Sequence, residues 1–505
     1  MNIGTLIPRH ARYRRDHTAV VFGGRRLSYE DFSKRVNRLG HALAAAGIGK
    51  DRKVATVVPN CQELLDLYWA AAETGAVVVP MSPLLQPKGL AGLLRDADAE
   101  MVLTHPNYAG LVSAARAELD IADANYIIAG DEAAEGYTAY SDFVSGYPDT
   151  ALPDIGLGDH DVYNIIYSSG TTGDPKGIVH DHYIRANYCT MFSQSFRFTP
   201  ESIVLHTGAA IFNGAFVTMM PAFYNGATYI LHEAFDIDRV IATVRDEKVT
   251  HIMMVPAQII QLINHPEATL ENLGSLECVL SLGAPLHLEH KKRFDALLPG
   301  RFYELYGLTE GFMTELDRND FRRKPESVGC CPPFLEMRIC DDDGNDLAAG
   351  EVDEIVDRGP HLMPGYYKRP DLTSAAVKDG WLFTGDLGYL DDDGFLFLVD
   401  RKKDMIISGG VNVYPRDIEE IAVGYPAVAE VAVFGIDDTK WGETPVCAVT
   451  AKSGAEIDPE DLREWINANV AAKFQRVSRV VVLDEFPRNA AGKILKRALK
   501  DEFAT

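Results

Sequence analysis

The sequence predicts an α/β protein with a large N-terminal domain of helix-covered mixed and parallel sheets, a small β-rich subdomain, and a smaller α+β C-terminal domain. Three observations support this fold class. The first half alternates short apolar runs with amphipathic helices, the chain after about residue 328 changes to short β runs between Asp/Gly turns, and a charged pentad at 400–404 precedes a further α+β unit. At 505 residues, the chain is also too long for one ordinary core.

Strand–helix–strand units are clearest near the N-terminus. Ser28 is expected to cap a helix, residues 54–58 predict a buried strand, and Asn60 is expected to cap a helix that ends at Gly75. Further segments of such units are predicted at residues 77–79, 246–256 and 276–282. Repeated units of this kind indicate a parallel sheet covered by helices, with ligand sites beyond the carboxyl ends of its strands.

The C-terminal half divides at the charged pentad. We expect an N-terminal domain over residues 1–399, whose β-rich subdomain spans about 328–399, then a hinge at 400–403 and a C-terminal domain at 404–505. In the last of these, a helix is expected to begin at Asp458, with an apolar stripe formed by Leu462, Trp465, Ile466, Val470 and Phe474. Strands are expected at 337–340, 352–356, 395–399, 431–435 and 446–450.

Composition narrows the class of partner. The net charge of −24 argues against a nucleic-acid partner, and the 47% hydrophobic and 24% charged content excludes disordered and fibrous chains. Seven cysteines show no CxxC spacing, so zinc sites and disulfide frameworks are not expected and a reducing cytoplasm is the default compartment. No apolar stretch reaches about 18 residues, so we expect a soluble protein without an integral membrane segment.

One segment carries the strongest chemical signal. Residues 167–177 read Tyr-Ser-Ser-Gly-Thr-Thr-Gly-Asp-Pro-Lys-Gly. Glycines let the backbone approach a ligand, successive amides can form an anion site, and hydroxyls and Lys176 add donors suited to phosphate oxygens. The segment is not a Walker A loop, because Lys176 precedes Gly177 and an apolar strand rather than a helix. It predicts a polyphosphate loop, with a polar surface hairpin as the alternative.

Four later segments add weaker signals. The first is a turn of small residues that could admit a flat ring, and the second combines an aromatic face, a hydroxyl and a carboxylate. The third offers a carboxylate for ribose hydroxyls, and the fourth places a lysine after a glycine. They read Ser-Leu-Gly-Ala-Pro at 281–285, Tyr-Gly-Leu-Thr-Glu at 306–310, Thr-Gly-Asp at 384–386 and Arg-Asn-Ala-Ala-Gly-Lys at 488–493. Each alone is equally consistent with core, turn or tail residues.

Taken together and in this order, the five segments closely resemble the adenylate-forming superfamily of acyl-CoA synthetases, peptide-synthetase adenylation domains and firefly luciferase. The resemblance runs from about Leu27 to Arg497. The segment from Met405 to Pro415, Met-Ile-Ile-Ser-Gly-Gly-Val-Asn-Val-Tyr-Pro, resembles the acyl- and aryl-CoA ligase branch in particular. The resemblance implies an ATP-dependent, AMP-forming acid:CoA ligase that uses ATP, Mg²⁺ and coenzyme A, with a mobile C-terminal domain.

The resemblance also assigns residues to the nucleotide. The 167–177 loop would hold the β- and γ-phosphates, Tyr306 would stack on adenine, and Asp386 and Arg401 would bind the ribose. The expected ATP- and AMP-binding residues are Ser168, Ser169, Gly170, Thr171, Thr172, Gly173, Lys176, Gly283, Ala284, Pro285, Tyr306, Gly307, Asp386 and Arg401.

The expected catalytic residues are Lys493, Thr309 and Glu310, with Thr309 on the α-phosphate and Glu310 on Mg²⁺. A carboxylate that attacks the α-phosphorus brings two anions together, so the step depends on charge neutralisation and in-line positioning, which a metal ion and a mobile lysine supply. No general base is needed, because the nucleophile is already ionised.

The second step implied by the resemblance is thioester formation. The C-terminal domain would turn about a hinge at Lys403, withdraw the lysine and present Ser408, Gly409 and Gly410 to the pantetheine arm of coenzyme A. The segment Trp441-Gly442-Glu443 also matches the CoA-ligase branch.

The acyl pocket departs from the family pattern. Many CoA ligases carry a Pro-x-Phe-His-type segment, whereas residues 206–215 here read His-Thr-Gly-Ala-Ala-Ile-Phe-Asn-Gly-Ala. We expect His206 to be a packed or polar strand residue rather than a catalyst, and Phe212 to take the aromatic position. The expected pocket residues are Phe212, Asn213, Phe216, Phe312 and Met313. Such a lining favours an apolar carboxylic acid, either fatty or aryl.

Three alternatives remain at this stage. The acceptor could be the phosphopantetheine of a carrier protein, as in acyl-AMP ligases. The chain could be a non-catalytic nucleotide-binding protein, although Lys176, Glu310, Asp386 and Lys493 are all present. A luciferase-like oxygenase is also compatible with the fold.

Overall fold

The computed structural model describes residues 1–168, 175–402, 404–408, 411–439, 441–488 and 492–503. The strands of this part of the chain are β1 Thr18–Phe22, β2 Arg25–Ser28, β3 Lys53–Val57, β4 Val77–Pro80, β5 Ala99–Thr104, β6 Tyr126–Ile128, β7 Thr138–Ala139, β8 Val162–Ser168, β9 Lys176–Asp181, β10 Ile203–His206, β11 Thr228–Leu231, β12 His251–Met254, β13 Cys278–Leu282, β14 Phe302–Gly307, β15 Met313–Leu316, β16 Glu336–Cys340, β17 Asp353–Arg358, β18 Val377–Lys378, β19 Trp381–Leu390, β20 Leu396–Arg401, β21 Ile406–Ser408, β22 Val411–Val413, β23 Val428–Asp438, β24 Gly442–Ala451 and β25 Arg479–Leu483.

The helices connect and cover these strands. They are α1 Leu6–Tyr13, α2 Tyr29–Ala45, α3 Gln62–Thr74, α4 Pro87–Asp96, α5 Ala109–Arg116, α6 Tyr140–Val144, α7 His182–Ser195, α8 Asn213–Asn225, α9 Ile237–Glu247, α10 Pro256–Asn264, α11 Leu270–Leu273, α12 Leu288–Leu297, α13 Arg318–Arg323, α14 Pro370–Ala376, α15 Pro415–Val423, α16 Pro459–Asn469 and α17 Lys496–Phe503. Within the described residues, no helix combines the length and apolar composition needed to cross a membrane.

Two large sheets form the N-terminal body. One has the strand order β7-β6-β5-β3-β4-β8-β9 and the other β15-β14-β13-β12-β10-β11-β1-β2. Most neighbouring strands are parallel, and the antiparallel pairs are β8/β9, β14/β15 and β1/β2. The predicted helix-covered parallel and mixed sheets are therefore confirmed.

Helices α3 and α8 lie in the main hydrophobic core. Their side chains are buried along almost their whole length, which fits their apolar sequences. Trp69 meets Phe223 with ring centroids 4.9 Å apart, and Tyr68 meets Phe216 at 5.1 Å. Edge-to-face aromatic pairs of this kind fix the two helices against each other and hold the start of α8 in place.

The third and fourth sheets are mainly antiparallel. Strands β16, β17, β18, β19 and β20 form the third sheet, and all its neighbouring pairs are antiparallel. The fourth contains β21, β22, β23, β24 and β25, with only β24/β25 parallel. The β-rich stretch and the α+β unit expected after residue 328 both form. The proposed division at residues 400–403 remains a prediction, and β20 continues to Arg401.

Contacts join the fourth sheet's helices to the rest of the chain. The Arg416 guanidinium at the start of α15 donates to the Leu398 carbonyl at 3.1 Å, and its backbone N–H donates to the Asp400 carboxylate at 3.2 Å. His287 Nδ1 lies 2.9 Å from Glu420 Oε1. These contacts orient the C-terminal unit relative to the large sheets.

The expected caps of the N-terminal helices are partly confirmed. Ser28 Oγ accepts a hydrogen bond from the Asp31 N–H at 3.1 Å, and α3 ends at Gly75 with φ of +72°, which favours glycine. Asn60 is not the cap of α3, which instead begins after Cys61.

Asn60 instead forms hydrogen bonds to the backbone of other segments. Its amide nitrogen donates to the carbonyl oxygens of Gly208 and His232 at 2.6 and 2.8 Å, and its amide oxygen accepts from Ala210 N–H at 2.7 Å. The side chain therefore ties the start of α3 to the loop before α8, which a sequence pattern of caps does not reveal.

The apolar stripe of α16 is shorter than predicted. Asp458 caps the helix as expected, but the helix ends at Asn469, so Val470 and Phe474 lie beyond it. Asn467 both donates to and accepts from the Val477 backbone, at 3.1 and 2.8 Å, and so holds the returning chain against the helix. Phe474 is 38% exposed and does not belong to the helix face.

Candidate active site

The glycine-rich segment joins β8 to β9, the last two strands at one side of the seven-stranded sheet. Ser168, at the end of β8, lies opposite Lys176, at the start of β9. The other predicted residues of this segment lie outside the described residues; they are Ser169, Gly170, Thr171, Thr172 and Gly173. Lys176 Nζ lies 5.0 Å above the ring of Tyr366, so the cation is directed toward the segment that follows β17.

Tyr366 connects Lys176 to Glu310. Its hydroxyl donates to Glu310 Oε1 at 2.9 Å. Burial raises the pKa of Glu310, although the hydrogen bond from Tyr366 and the charges of Lys176 and Arg401 act in the opposite direction. A buried carboxylate that faces two cations is suited to a site where further charge must be accommodated.

The backbone around Glu310 is fixed by its neighbours. The Met363 N–H donates to the Glu310 carbonyl at 2.8 Å, and His180 Nε2 lies 2.8 Å from the Thr309 carbonyl oxygen. At Gly307, a Cβ would lie only 2.3 Å from the Phe312 carbonyl oxygen, so only glycine fits there. The Tyr306–Glu310 segment thus has a defined backbone.

Asp386 lies between two partners. The Tyr306 hydroxyl donates to Asp386 Oδ2 at 2.6 Å, and Arg401 Nε lies 3.2 Å from Asp386 Oδ1. Strand pairing explains the second contact, because Asp386 on β19 lies opposite Arg401 on β20. Burial, followed by the charge of Asp386, raises the pKa of Tyr306 and keeps its hydroxyl protonated.

The loop before Lys493 approaches the turn after β13. Gly283, Ala284 and Pro285 follow β13, and Gly283 has φ of +94°. A Cβ on Gly283 would lie 3.6 Å from Val255 Cγ1, and a Cβ on Gly492 would lie 3.4 Å from Val255 Cγ2. Val255 therefore lies between the turn and the glycine that precedes Lys493.

Hydrogen bonds hold the same loop from the other side. Arg488 donates to the Gly492 carbonyl at 2.8 Å and to Glu430 Oε1 at 2.6 Å. Because Glu430 lies on β23, these bonds tie the lysine-bearing loop to the fourth sheet.

The predicted hinge and coenzyme A segment are partly described. Lys403, Gly409 and Gly410 lie outside the described residues. Ser408 is buried at the end of β21, where its Cα pairs with those of Val411 and Gly442. Glu443 Oε2 accepts from the Ile407 N–H at 2.9 Å.

The predicted acyl residues divide between two hydrophobic clusters. Phe216 and Met313 belong to the main core, and Phe212 packs against it. Phe312 is in a different cluster, with Val328, Ile339 and their neighbours on the third sheet, and its ring meets that of Tyr306 at 5.3 Å. Phe312 immediately precedes β15, which begins at Met313, and the two side chains lie in different clusters.

His206 is packed, as expected from the sequence. It is fully buried, its ring stacks on Tyr229 with centroids 6.1 Å apart, and burial lowers its pKa to about 4. Neither ring nitrogen has a hydrogen-bond partner among the described residues. A neutral, enclosed imidazole does not suit a charged contact to substrate.

Three residues of this region were missed in the sequence: Tyr366, His180 and Arg185. Arg185 on α7 is fully buried and donates to Asn213 Oδ1 at 2.8 Å, next to Phe212. The sequence did contain a signal for the burial of Arg185, because Arg185, Cys189 and Phe192 have the spacing of residues on one face of a helix, and the other two are apolar. From the sequence alone, however, an arginine in a helix is interpreted as a solvent-exposed residue.

Comparisons with known proteins cover almost the whole chain. The model of the AMP-binding enzyme family matches residues 7–367, and that of the AMP-binding enzyme C-terminal domain matches residues 417–493. A feruloyl-CoA synthase from an Amycolatopsis species is 34% identical over 99% of this chain and 99% of its own. An indoleacetate–CoA ligase from Aromatoleum aromaticum is 32% identical over 98% and 97%. The structure of ATP-bound MatB from Rhodopseudomonas palustris has a TM-score of 0.88 at 28% identity, over 100% of this chain and 99% of that chain.

Proposed function

Because this chain belongs to the AMP-binding enzyme family, we propose that it is an ATP-dependent, AMP-forming carboxylic acid:CoA ligase. The reaction has two steps. The acid first attacks the α-phosphorus of ATP to give an acyl-adenylate and pyrophosphate, and the thiol of coenzyme A then displaces AMP to give the thioester. Relatives named as CoA synthases and CoA ligases over nearly their full length support this proposal.

The observation that carries the proposal is the meeting of segments far apart in the sequence. Lys176 and Glu310 share Tyr366 as a neighbour, and Asp386 lies between Tyr306 and Arg401. The two cations Lys176 and Arg401 and the two carboxylates Glu310 and Asp386 thus lie in one region near the carboxyl ends of β13 and β14. Ligand sites of α/β sheets are expected at such strand ends.

Within this proposal, each residue has a role in adenylation. Lys176 and the hydroxyls of its loop bind the pyrophosphate portion of ATP, and Thr309 contacts the α-phosphate. Asp386 and Arg401 bind the ribose, and the turn of Gly283, Ala284 and Pro285 borders adenine, with Tyr306 beside it. Lys493 neutralises the charge that develops between the acid and the α-phosphate, which is the main requirement of such a transfer.

Glu310 fits Mg²⁺ as a single protein carboxylate. Magnesium in nucleotide sites is commonly held by one or two carboxylates, water and the substrate phosphates rather than by a protein cage. In the described part of the chain, no group of three or more His, Cys, Asp or Glu side chains could hold a metal by itself. Bound there, the ion would neutralise phosphate charge.

The second step uses the C-terminal unit. We propose that a turn about Lys403 removes Lys493 from the nucleotide and brings Ser408, Gly409 and Gly410 to the pantetheine arm. The small residues leave room for a narrow thiol-bearing chain beside the backbone. We also propose the cytoplasm as the compartment, since all seven cysteines are free thiols.

A pyrophosphate-release assay tests the proposal. Purified protein receives ATP and Mg²⁺ with ferulate, indoleacetate or palmitate, each with and without coenzyme A. We expect pyrophosphate release that depends on the acid, and AMP and thioester formation that depends on coenzyme A. The proposal fails if no acid releases pyrophosphate, or if adenylate forms but coenzyme A never accepts the acyl group.

A further inference from the structure

Arg185 is a buried cation beside the proposed acyl pocket. Its side chain is fully enclosed, and its guanidinium carbon lies 4.1 Å from the ring centre of Phe216 and 5.0 Å from that of Tyr188. Nε donates to Asn164 Oδ1 at 3.1 Å, and Nη1 donates to Asn213 Oδ1 at 2.8 Å. In the described part of the chain, these partners are amide oxygens, and no carboxylate forms an ion pair with Arg185.

Unpaired polar atoms surround this guanidinium. Among the described residues, Arg185 Nη2, Asn164 Nδ2, His180 Nδ1 and both ring nitrogens of His361 are buried without a hydrogen-bond partner. They lie close together, because Asn164 and His180 face each other across β8 and β9, and the His361 ring lies 5.2 Å from that of Tyr188. A buried polar group without a partner is unfavourable, so a ligand group that forms hydrogen bonds with these atoms would be strongly favoured.

The local charge is positive. Burial lowers the pKa of His180 well below its usual value and that of His361 to about 3, so both imidazoles are neutral at physiological pH. The remaining charge is that of Arg185, which burial makes unfavourable without a counter-ion. The cluster therefore offers donors and one positive charge, a combination that suits an oxygen acceptor.

The cluster also lies next to the proposed reaction centre. Asn213 follows Phe212 at the start of α8 and donates to the Tyr188 hydroxyl at 3.1 Å. His180 contacts the carbonyl of Thr309, which precedes Glu310. An acid substrate whose carboxylate reaches the proposed nucleotide site between α8 and the Thr309–Glu310 segment would therefore lie next to Phe216 and Arg185.

We propose that the acid substrate carries a second oxygen acceptor, a carboxylate or a carbonyl group, which Arg185 binds in the acyl pocket. The proposal rests on the ligase function above and names the class of acid. The sequence predicted an acid that is apolar apart from its reacting carboxylate. The proposed acid instead has an apolar middle with the reacting carboxylate at one end and the second oxygen acceptor at the other.

Matched acids test the proposal. Two series are compared by pyrophosphate release: hexanoate, 5-oxohexanoate and adipate, and 3-phenylpropanoate with its 4-acetyl and 4-carboxy derivatives. In at least one series, the acceptor-bearing acid is expected to exceed the unsubstituted acid in kcat/KM by about 30-fold or more, since a site built around a hydrogen bond discriminates strongly against its absence. Preference for the ketone or for the second carboxylate identifies which acceptor is used.

Three variants separate recognition from folding. Arg185→Met is expected to abolish the preference between matched acids. Asn164→Asp, which has nearly the same shape, supplies Arg185 with an internal carboxylate and should lower the preference by about tenfold or more. Arg35→Met is the control, because Arg35 forms an ion pair with Asp66 at 2.6 Å on α3; it should lose stability without changing acid preference.

The outcomes are distinct. Thermal unfolding, with and without ATP and each acid, shows which variants fold and gives a binding measurement independent of turnover. Equal use of matched acids by the unmodified protein overturns the proposal while leaving the ligase intact, and so does an equal loss for all acids in both pocket variants. Absence of pyrophosphate release with every acid overturns the ligase, and with it this proposal.

Discussion

At the residue scale, the carboxylate of Asp386, the proposed ribose ligand, is oriented by two neighbouring side chains. Tyr306 holds one oxygen and Arg401 the other, so the carboxylate does not have to be ordered when a ligand arrives. Each oxygen can still accept a second hydrogen bond, because a carboxylate has about four lone-pair positions. The pair of partners therefore orients Asp386 without using up its acceptor capacity.

Replacement of Asp386 tests this role. Asp386→Asn is expected to raise KM for ATP by about 10- to 100-fold, because charge-assisted hydrogen bonds are worth about 1.5–3 kcal/mol. Tyr306→Phe should have a smaller effect, since it removes only the orienting bond. The control is Glu336→Gln on the same sheet, whose partner Arg358 is exposed. An unchanged KM for ATP in Asp386→Asn would contradict the ribose assignment.

A second residue links pH to stability. Burial raises the pKa of Glu73 to about 8, and its Oε1 has no hydrogen-bond partner among the described residues. The folded state then retains a proton that the unfolded state releases near pH 4.5, so Glu73 lowers the free energy of unfolding as pH rises from about 4.5 to 8. Its contribution is most favourable below this window.

Glu73→Gln removes that titration. Relative to the unmodified protein, the variant is expected to be more stable at pH 8.5 than at pH 5, by a difference of about 1–3 kcal/mol, and unfolding midpoints at the two pH values measure it. Glu63→Gln on the same helix is the matched control for the replacement of a glutamate by glutamine. A Glu73→Gln variant with the same relative stability at both pH values would refute the assignment.

Single residues were predictable where a motif carried them and not elsewhere. Glu310, Asp386 and Arg401 belong to short segments whose chemistry is readable from the sequence, and the structure brings Asp386 and Arg401 into contact. Arg185 and Tyr366 could not be predicted, because their importance comes from partners on other elements: Asn164 and Asn213 for one, Glu310 for the other.

At the scale of elements, residues 328–330 join two sheets. The Val328 N–H and the Gly329 carbonyl bond to Leu396 at 2.9 and 2.8 Å, while Cys330 exchanges two backbone hydrogen bonds with Glu315. The segment therefore connects β20 of the third sheet with β15 at the edge of the eight-stranded sheet. Its geometry fixes where Asp386 and Arg401 lie relative to Tyr306.

Gly329 makes this junction possible. Its φ is +92°, and a Cβ there would lie 1.9 Å from the Glu315 carbonyl oxygen. Gly329→Ala is expected to destabilise the fold by about 3 kcal/mol or more, since a backbone contact cannot yield. Gly344→Ala is the matched control, with φ of +82° and no atom within 4 Å, and should cost only about 1–2 kcal/mol. Equal unfolding midpoints for the two variants would contradict the clash.

Elements with strong local signals were predicted best. The strands near residues 54–58 and 77–79 and the stop at Gly75 follow from apolar runs and a left-handed glycine, and they form nearly as expected. The errors at Asn60 and Val470 arise because tertiary hydrogen bonds determine those boundaries. Asn60 bonds across to the loop before α8, and Asn467 bonds to the returning chain.

At the scale of the whole molecule, the C-terminal unit places Gly492, which precedes Lys493, beside Val255 and the turn at Gly283. Lys496 Nζ lies 2.7 Å from Glu419, and the charges of Glu419 and Asp400 outweigh burial to raise its pKa. Together with the His287–Glu420 contact, this cation holds α17 and α15 against the end of β20. The order of the sequence motifs predicted an N-terminal body and a C-terminal unit. The contacts between them could not be predicted, because they depend on how the two are packed together.

Under the proposed function, we interpret this arrangement as that of the adenylation step, for which Lys493 is the proposed catalytic cation. Lys493→Ala is expected to reduce acid-dependent pyrophosphate release by about 10²- to 10³-fold, because one charge-stabilising group is lost from the transition state. Thioester formation from supplied acyl-adenylate and coenzyme A should remain within a few-fold of the unmodified protein, since the lysine is withdrawn in that step. Separate assays of the two half-reactions measure both effects.

The reciprocal variant completes this test at the hinge. Proline at position 403 fixes φ near −65° and removes an N–H, so Lys403→Pro is expected to hinder the proposed turn of the C-terminal unit more than it hinders adenylation. Pyrophosphate release in a single turnover should then persist, and thioester formation should fall by about tenfold or more. If Lys493→Ala impaired both half-reactions equally, or if Lys403→Pro left overall turnover unchanged, one fixed arrangement would serve both steps and the proposed alternation would be wrong.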